Sequence, residues 1–202
     1  MAKLDPLLNI VKCMFGLFLI PVVYAITHAL VAELSGLSNT NLSYFYGGVI
    51  CYLILHLFIF KPTKVYDKGK EISQEGSKAF SSFFEVAPHI FPIFSIIVFV
   101  IYFLTSLFYN NPNLLNYFLL LFSFSATLHL VLTAEEMRNV EDGKNAIINY
   151  LFSFSLIYLL NFFLIALLLS LVMKEFAFLD VAKDTFSIIK TFYSAVFGQL
   201  FG

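Results

Sequence analysis

Long apolar runs alternate with short polar stretches along the chain. A helix crosses the roughly 30 Å hydrocarbon layer of a bilayer with about 20 apolar residues, and five runs reach or approach that length. The pattern therefore predicts an all-α membrane protein, a polytopic helical bundle of about five transmembrane helices. The predicted spans are at about 7–34, 44–60, 90–108, 114–132 and 146–173, with a charged loop at 61–80 between the second and the third.

The last segment of the chain has a different pattern. Its apolar residues recur at spacings of three and four, whereas Lys183, Asp184 and Lys190 lie on other faces. Charged residues make a membrane crossing costly, so the prediction is an amphipathic helix that lies at the membrane interface or docks on a partner protein. The chain thus divides into a transmembrane bundle at 1–175 and this C-terminal helix at 176–202. The apolar positions are Leu179, Ala182, Phe186, Ile189, Tyr193, Val196 and Leu200.

The composition agrees with a membrane location. Of the 202 residues, 60% are hydrophobic and 12% are charged, whereas a typical soluble domain has about 25% charged residues. The net charge of -1 gives no basis for binding nucleic acid, which requires clustered Lys and Arg. Cys13 and Cys51 both lie inside apolar runs and indicate neither a disulfide nor a metal site. The lipid bilayer is the predicted partner.

Lysine and arginine residues are concentrated in alternate loops. The N-terminal end and the loops at 61–78 and 133–145 contain nine of these residues, and the loops at 36–43 and 109–113 contain none. Because loops rich in Lys and Arg remain in the cytoplasm, the N-terminus and both charged loops are predicted to be cytoplasmic. The C-terminal helix is then predicted on the opposite side.

The segment CYLILHLFIFKPTKVYDKGKEISQ at 51–74 resembles part of a family of bacterial integral-membrane zinc metalloproteases related to the site-2 proteases. In that family an apolar span ends with Lys-Pro and Val-Tyr, and a Gly precedes the zinc motif His-Glu-x-x-His. The resemblance implies a multi-pass protein of the bacterial inner membrane, built on a zinc-protease scaffold. Further similarity lies in APHIFP, SATLHLVLTAEEM, LLNFFLIALLLSLV and FLDVAKDTFSIIKTFYSAVFGQLF.

The zinc motif itself is degenerate. After Gly69 the chain reads KEISQ, so Glu71 is in register and both histidine positions are changed. The motif binds zinc through two imidazoles one helical turn apart, and its Glu activates the bound water. Lys70 places a positive charge where the cation would bind, and Gln74 is a poor zinc ligand. The segment before APHIFP is also shorter than in the family. We therefore predict no catalytic residue, no metal and no other cofactor at this motif.

Histidines elsewhere provide an alternative set of ligands. His56, His89 and His129 are all predicted near the cytoplasmic ends of spans, so they share one membrane depth. With nearby acidic residues they would form a metal or proton-handling site. The commoner use of such histidines is hydrogen bonding inside the bundle. The acidic neighbours are Glu71, Glu85, Glu135 and Glu136.

Three further polar residues lie inside the predicted spans. His28 and Glu33 are five positions apart and do not share a helical face. Asn161 lies near the middle of the fifth span, where an amide most often forms a hydrogen bond to another helix. The chain has no internal repeat, a feature that transporters usually show. For Asn161 we therefore favour helix packing over ion conduction.

Three functions remain open from the sequence. The preferred one is a non-catalytic accessory or structural subunit that contacts other integral membrane subunits, because the protease scaffold is kept and its zinc ligands are lost. The alternative is a membrane-embedded, metal-dependent hydrolase that uses His56, His89 and His129. The third is a small transporter or channel component whose flux depends on the polar residues of the spans.

Overall fold

The computed structural model of the chain describes residues 5–59, 63–77, 91–109, 111, 113–140 and 146–201. Within these ranges the side chains of 5–9, 59, 65, 73–77, 139–140, 146–149 and 201 are not described. Every regular element in the described ranges is helical. The protein is therefore all-α, as its hydropathy pattern predicts.

Seven α-helices and one π-helical turn make up the described structure. The turn, Leu55–Ile59, continues directly from the second helix. The helices are α1 (Asp5–Ser35), α2 (Asn39–Ile54), α3 (Thr63–Ser77), α4 (Ile93–Phe108), α5 (Leu114–Val140), α6 (Ala146–Val172) and α7 (Phe178–Phe201).

Four apolar helical stretches are long enough to cross a membrane, so the chain is a multi-pass membrane protein. A fifth apolar helix, α4, has 16 residues and extends only about 24 Å. It corresponds to the predicted third span at 90–108, of which residue 90 lies outside the described ranges. The four long stretches are Ile10–Ser35, Asn39–Phe58, Leu114–Arg138 and Tyr150–Val172.

The chain divides into two compact units, and the first contains Met1–Gly36 and Glu136–Gly202. Within this unit α1 packs against α6. The hydroxyl oxygens of Thr27 and Tyr158 lie 3.0 Å apart, and a Cβ atom on Gly16 would lie 3.5 Å from the Leu151 side chain. Both contacts advance in the same direction along the two helices, so α1 and α6 are parallel.

Helix α7 packs along α1 in the opposite direction. At one end, the backbone N–H of Ala177 donates a hydrogen bond to Glu33 Oε1 at 2.8 Å. At the other, the Tyr193 hydroxyl donates to the Phe18 carbonyl, and the two rings stack with centroids 4.5 Å apart. Residue numbers fall along α1 as they rise along α7, so the two helices are antiparallel.

Glu33 holds the start of α7, and its removal should loosen this end. A carboxylate at a helix N-terminus accepts otherwise unsatisfied N–H groups and interacts favourably with the helix dipole. We expect Glu33→Ala to lower the free energy of unfolding by about 1 kcal/mol. Thermal unfolding in a mild detergent measures this, with Glu175→Ala, an exposed acid in the preceding turn, as the control. Equal midpoints for the two variants would contradict the assigned role.

The second unit, Leu37–Glu135, contains α2, α3, α4 and most of α5. Helix α2 starts where the Ser38 side chain accepts a hydrogen bond from the Asn41 backbone N–H at 3.3 Å, a typical N-cap. Helices α2 and α5 approach each other so closely at Gly48 that a Cβ atom there would lie 2.2 Å from the Leu120 carbonyl oxygen. Close approach through Gly is a common way for membrane helices to pack.

Helix α4 packs against α5 in the antiparallel direction. The hydroxyl oxygens of Ser95 and Ser125 lie 3.0 Å apart in the interior, and the rings of Tyr102 and Phe118 lie 4.6 Å apart. Between these two contacts the residue numbers rise along α4 and fall along α5, so the helices are antiparallel. The pairing leaves one end of α5 to meet the motif helix α3.

Candidate functional site

Helix α3 contains the segment KGKEISQ, in which the resemblance would place the zinc motif, and it packs within the second unit through its apolar face. Tyr66 is only 5% exposed and belongs to a buried cluster with Tyr52, Leu128 and Leu132. One turn further, a Cβ atom on Gly69 would lie 2.6 Å from the Phe94 ring of α4. The motif segment is therefore a docked amphipathic helix.

The motif side chains are occupied by local interactions. Lys70 is half-buried, and its Nζ lies 6.0 Å from the centre of the Tyr66 ring, within the range of a cation–π contact. Glu71 is exposed and accepts a hydrogen bond from Lys68 Nζ at 2.6 Å. Gln74 lies in the last part of α3, and its side chain is outside the described set. Lys70 thus places its charge beside an aromatic ring of its own helix.

The electrostatics of Glu71 differ from those of a catalytic base. The hydrogen bond from the Lys68 ammonium, together with its charge, holds the pKa of the Glu71 carboxyl below its usual value. A general base works best when its pKa lies near the operating pH, which for a carboxylate requires an upward shift. Glu71 is shifted in the opposite direction, so it is a weaker base than an ordinary glutamate.

A histidine–carboxylate pair lies beyond this helix, at the end of α2. His56 Nε2 is 3.3 Å from Glu135 Oε1, and the two side chains are 9% and 28% exposed. On the other side of the ring, His56 Nδ1 is 3.3 Å from the Tyr52 hydroxyl. With its proton on Nε2, the imidazole donates to Glu135 and accepts from Tyr52. The two hydrogen bonds together fix the orientation of the ring.

His56 lies in the π-helical turn Leu55–Ile59, a kind of turn that is frequent at functional sites. Tyr52 lies four positions before His56, and the two rings stack with centroids 5.6 Å apart. Tyr52 is fully buried and also packs edge-on against Phe124 of α5. The phenol therefore links the helix core to the histidine–carboxylate pair.

A second polar group surrounds Tyr66. The Tyr66 hydroxyl lies 2.8 Å from Thr133 Oγ1 in the interior. Its ring centroid is 5.9 Å from that of His129, which is 5% exposed. Both partners lie on α5, so this group fixes α3 to that helix. The geometry is that of a buried hydrogen bond with an aromatic contact, which is common in structural cores.

The three candidate histidines have different surroundings. His56 is paired with Glu135, His129 lies against Tyr66, and His89 is outside the described ranges, as is Glu85. In the part of the chain that the structure describes, no three His, Cys, Asp or Glu side chains are placed to hold one metal ion. His56 and Glu135 are two adjacent donors of types that bind zinc and iron.

The three polar residues predicted inside the spans all lie in the first unit. His28 is exposed, with its ring centroid 5.9 Å from that of Tyr24. Glu33 binds the start of α7, as described above. Asn161 is fully buried, and its Nδ2 donates to the Ile157 carbonyl one turn earlier at 3.0 Å. Glu33 and Asn161 thus make contacts that stabilise helices.

Sequence reasoning did not identify the two tyrosines that organise the site. Tyr52 precedes His56 by four positions, and Tyr66 precedes Lys70 by four, a spacing that brings side chains together on one helical face. That spacing was the available signal. The contacts with Thr133 and Glu135 join distant segments and have no local signature.

Comparisons with protein-family models, curated proteins and solved structures gave no match to this chain.

Proposed function

We propose that the chain is a non-catalytic accessory or structural subunit of a membrane-protein complex, with the scaffold of a membrane zinc metalloprotease and without its zinc site. The observation that carries this proposal is how α3 packs and which partners its charged side chains have. The helix is held by Tyr66 and Gly69, while Lys70 contacts a ring of the same helix and Glu71 is paired with Lys68. The motif position serves packing and local ion pairing.

The lipid-facing surface supports contact with other membrane subunits. Large aromatic side chains are exposed on several helices. They provide apolar contact area for a partner, and because they are rigid they lose little conformational entropy on binding. Examples are Phe15 at 56%, Phe58 at 80%, Phe103 at 53% and Phe186 at 69% exposed. The bilayer covers whatever part of this surface the partner does not.

The proposed location is the bacterial inner membrane, with the N-terminus in the cytoplasm. The distribution of Lys and Arg among the loops supports this orientation. Helix α3, with its exposed lysines, then lies on the cytoplasmic side, where it would meet anionic headgroups. Protease accessibility of an N-terminal tag in sealed inner-membrane vesicles of known orientation tests the assignment.

Purification from the native membrane tests the subunit proposal. We expect the tagged protein, extracted in a mild detergent, to elute with at least one other integral membrane protein in a fixed ratio. Extraction with a harsh detergent is the control, because it should release the chain alone. A lone monomer under both conditions would contradict the proposal.

A second candidate function is supported by the His56–Glu135 pair, which supplies two metal-binding side chains beside each other. A membrane-embedded hydrolase built on this pair should purify with one equivalent of zinc or iron and show chelator-sensitive cleavage of a membrane substrate. His56→Ala should abolish both properties, while His28→Ala, a histidine of the other unit, should not. Protein without stoichiometric metal and without chelator-sensitive cleavage would remove this candidate.

A further inference from the structure

One exposed face of α7 is a polar stripe, beside exposed apolar residues such as Phe186. Its members recur at helical spacing from Asp180 to Ser194, and all are exposed. The opposite face packs towards α1 and includes Val181 and Thr185, which are 3% and 6% exposed. The helix is therefore attached by one side and presents charge on the other. The stripe consists of Asp180, Lys183, Asp184, Ser187, Lys190, Thr191 and Ser194.

The packing of α7 on α1 sets the depth of this stripe. Contacts at Glu33–Ala177 and Phe18–Tyr193 bracket about 15 residues of each helix, or about 23 Å along the axis. Because Ile10–Ser35 of α1 is a membrane-spanning stretch, α7 follows it through most of the hydrocarbon layer. A helix at the membrane interface would lie across α1 and would not run antiparallel to it.

Lys190 is the charged residue of the stripe that lies nearest to the middle of the membrane. It lies about 20 Å from Ala177 and about 16 Å from Phe201 along α7, near the level of Pro21 in the middle of the α1 span. It is exposed, and no hydrogen bond or ion pair joins it to any other described residue. Lys183, nearer the helix end, already has Asp180 as its partner at 2.9 Å. A lysine at mid-depth is among the most costly residues to expose to lipid.

We propose that α7 crosses the membrane beside α1 and that its polar stripe binds a helix of another integral membrane subunit, which presents an Asp or Glu opposite Lys190. The inference rests on the proposed accessory function and gives the partner its chemistry. An acidic side chain at mid-depth would neutralise Lys190 where water is absent, and an ion pair buried in this way would specify one partner.

A second copy of the chain does not supply that acid. Copies in one membrane have the same orientation, so a two-fold axis places Lys190 opposite Lys190 and Asp184 opposite Asp184. In any closed ring the equivalent residues remain at equal depth. The nearest acid of the stripe, Asp184, lies about 9 Å from Lys190 along the helix axis. Like charges at one depth repel, which disfavours self-association through this face.

The crossing itself has an independent test. Because α7 runs antiparallel to α1, its crossing places the C-terminus and the N-terminus on the same side of the membrane. Tags at the two ends of the full chain should therefore become protease-accessible together in sealed vesicles of known orientation. Accessibility on opposite sides would overturn the crossing.

The partner is tested by charge exchange in the native membrane. We expect Lys190→Glu to reduce recovery of the co-purifying subunit at least tenfold, while Lys190→Arg retains it. Lys174→Glu, the same change in the exposed turn before α7, should also retain it. When the mid-span Asp or Glu of the partner is changed to Lys, the Lys190→Glu variant should again co-purify with that partner. The thermal unfolding midpoint of each variant identifies any that fail to fold.

A photo-crosslinking amino acid at position 190 decides what covers the stripe. An adduct with a different membrane protein, combined with the charge-exchange rescue, supports the proposal. An adduct with a second copy, with lipid, or with no protein overturns it. If wild-type protein keeps its co-purifying subunit and Lys190→Glu keeps it equally well, this inference fails while the accessory function stands. If wild-type protein purifies alone, the accessory function fails first.

Discussion

Gly48→Ala should lower the free energy of unfolding by about 3 kcal/mol, near the upper end of the cost of overpacking a core. A Cβ atom at this position would lie 2.1 Å from Ser123 Oγ and 2.2 Å from the Leu120 carbonyl oxygen. The serine side chain can rotate, but the carbonyl belongs to the backbone of α5. The added methyl group therefore forces α2 and α5 apart, and every contact between them weakens.

The neighbouring glycine provides the matched control. A Cβ atom on Gly47 would have no atom within 4 Å, so Gly47→Ala should stabilise the helix by roughly 0.5–1 kcal/mol through helix propensity alone. Thermal unfolding in one detergent should show the Gly48→Ala midpoint roughly 6–12 °C below wild type and the Gly47→Ala midpoint slightly above it. Similar midpoints for both variants would show that α2 and α5 do not approach closely at Gly48.

Tyr66→Ala is the second large effect, with an expected loss of about 3–5 kcal/mol. Tyr66 lies on α3, outside the membrane-spanning stretches, so its burial is driven by exclusion from water and the usual core magnitudes apply. The change removes a ring that packs with Tyr52, Leu128 and Leu132, and it also removes the hydrogen bond to Thr133. Helix α3 should detach from the second unit and become sensitive to limited proteolysis.

Two further variants separate the parts of this effect. Tyr66→Phe keeps the ring and loses only the hydroxyl contact, so the expected loss is about 1 kcal/mol. Asp67→Ala changes an exposed residue of the same helix, where substitutions usually stay within about 0.5 kcal/mol. Proteolysis and thermal unfolding should show the largest loss of stability for Tyr66→Ala, a smaller one for Tyr66→Phe and the smallest for Asp67→Ala. If Tyr66→Phe were as harmful as Tyr66→Ala, the hydroxyl would hold α3 in place and the ring would not.

Hydropathy predicts where helices lie more accurately than where they end. The fifth predicted span, at 146–173, corresponds to α6 at Ala146–Val172. By contrast, α5 continues to Val140, beyond the predicted end at 132. The extension reads TAEEMRNV, and its central five residues, Ala, Glu, Glu, Met and Arg, are strong helix formers, of which three are charged. Membrane hydropathy measures only the lipid-soluble part of a helix.

The start of α2 is marked in the sequence by a helix-capping residue and not by hydropathy. The apolar run begins at about 44, whereas the helix begins at Asn39. Ser38 caps it, and a serine before a polar first turn is a standard start signal. Here local hydrogen-bonding chemistry determines the boundary, and hydrophobicity does not. The cap accounts for the additional turn of helix.

The candidate site was only partly accessible from the sequence. The exposed, charged face of α3 and the lack of histidine in this segment follow directly from KGKEISQ. The buried face of the same helix depends on where α4 and α5 lie, and a single sequence does not contain that information. The His56–Glu135 contact likewise joins segments far apart in the chain. Tertiary packing determines which of many polar residues become partners.

The π-helical turn Leu55–Ile59 sets how the helix face at Gly48 is rotated relative to the face at His56. A π-turn accommodates one residue more than the α-helical ladder requires, so deleting one residue from it would restore a regular helix. That deletion would rotate the parts of the helix on either side of the turn by about 100° relative to each other. Gly48 could then keep its approach to α5 only if His56 turned away from Glu135. A one-residue deletion would therefore separate scaffold from site more cleanly than any substitution.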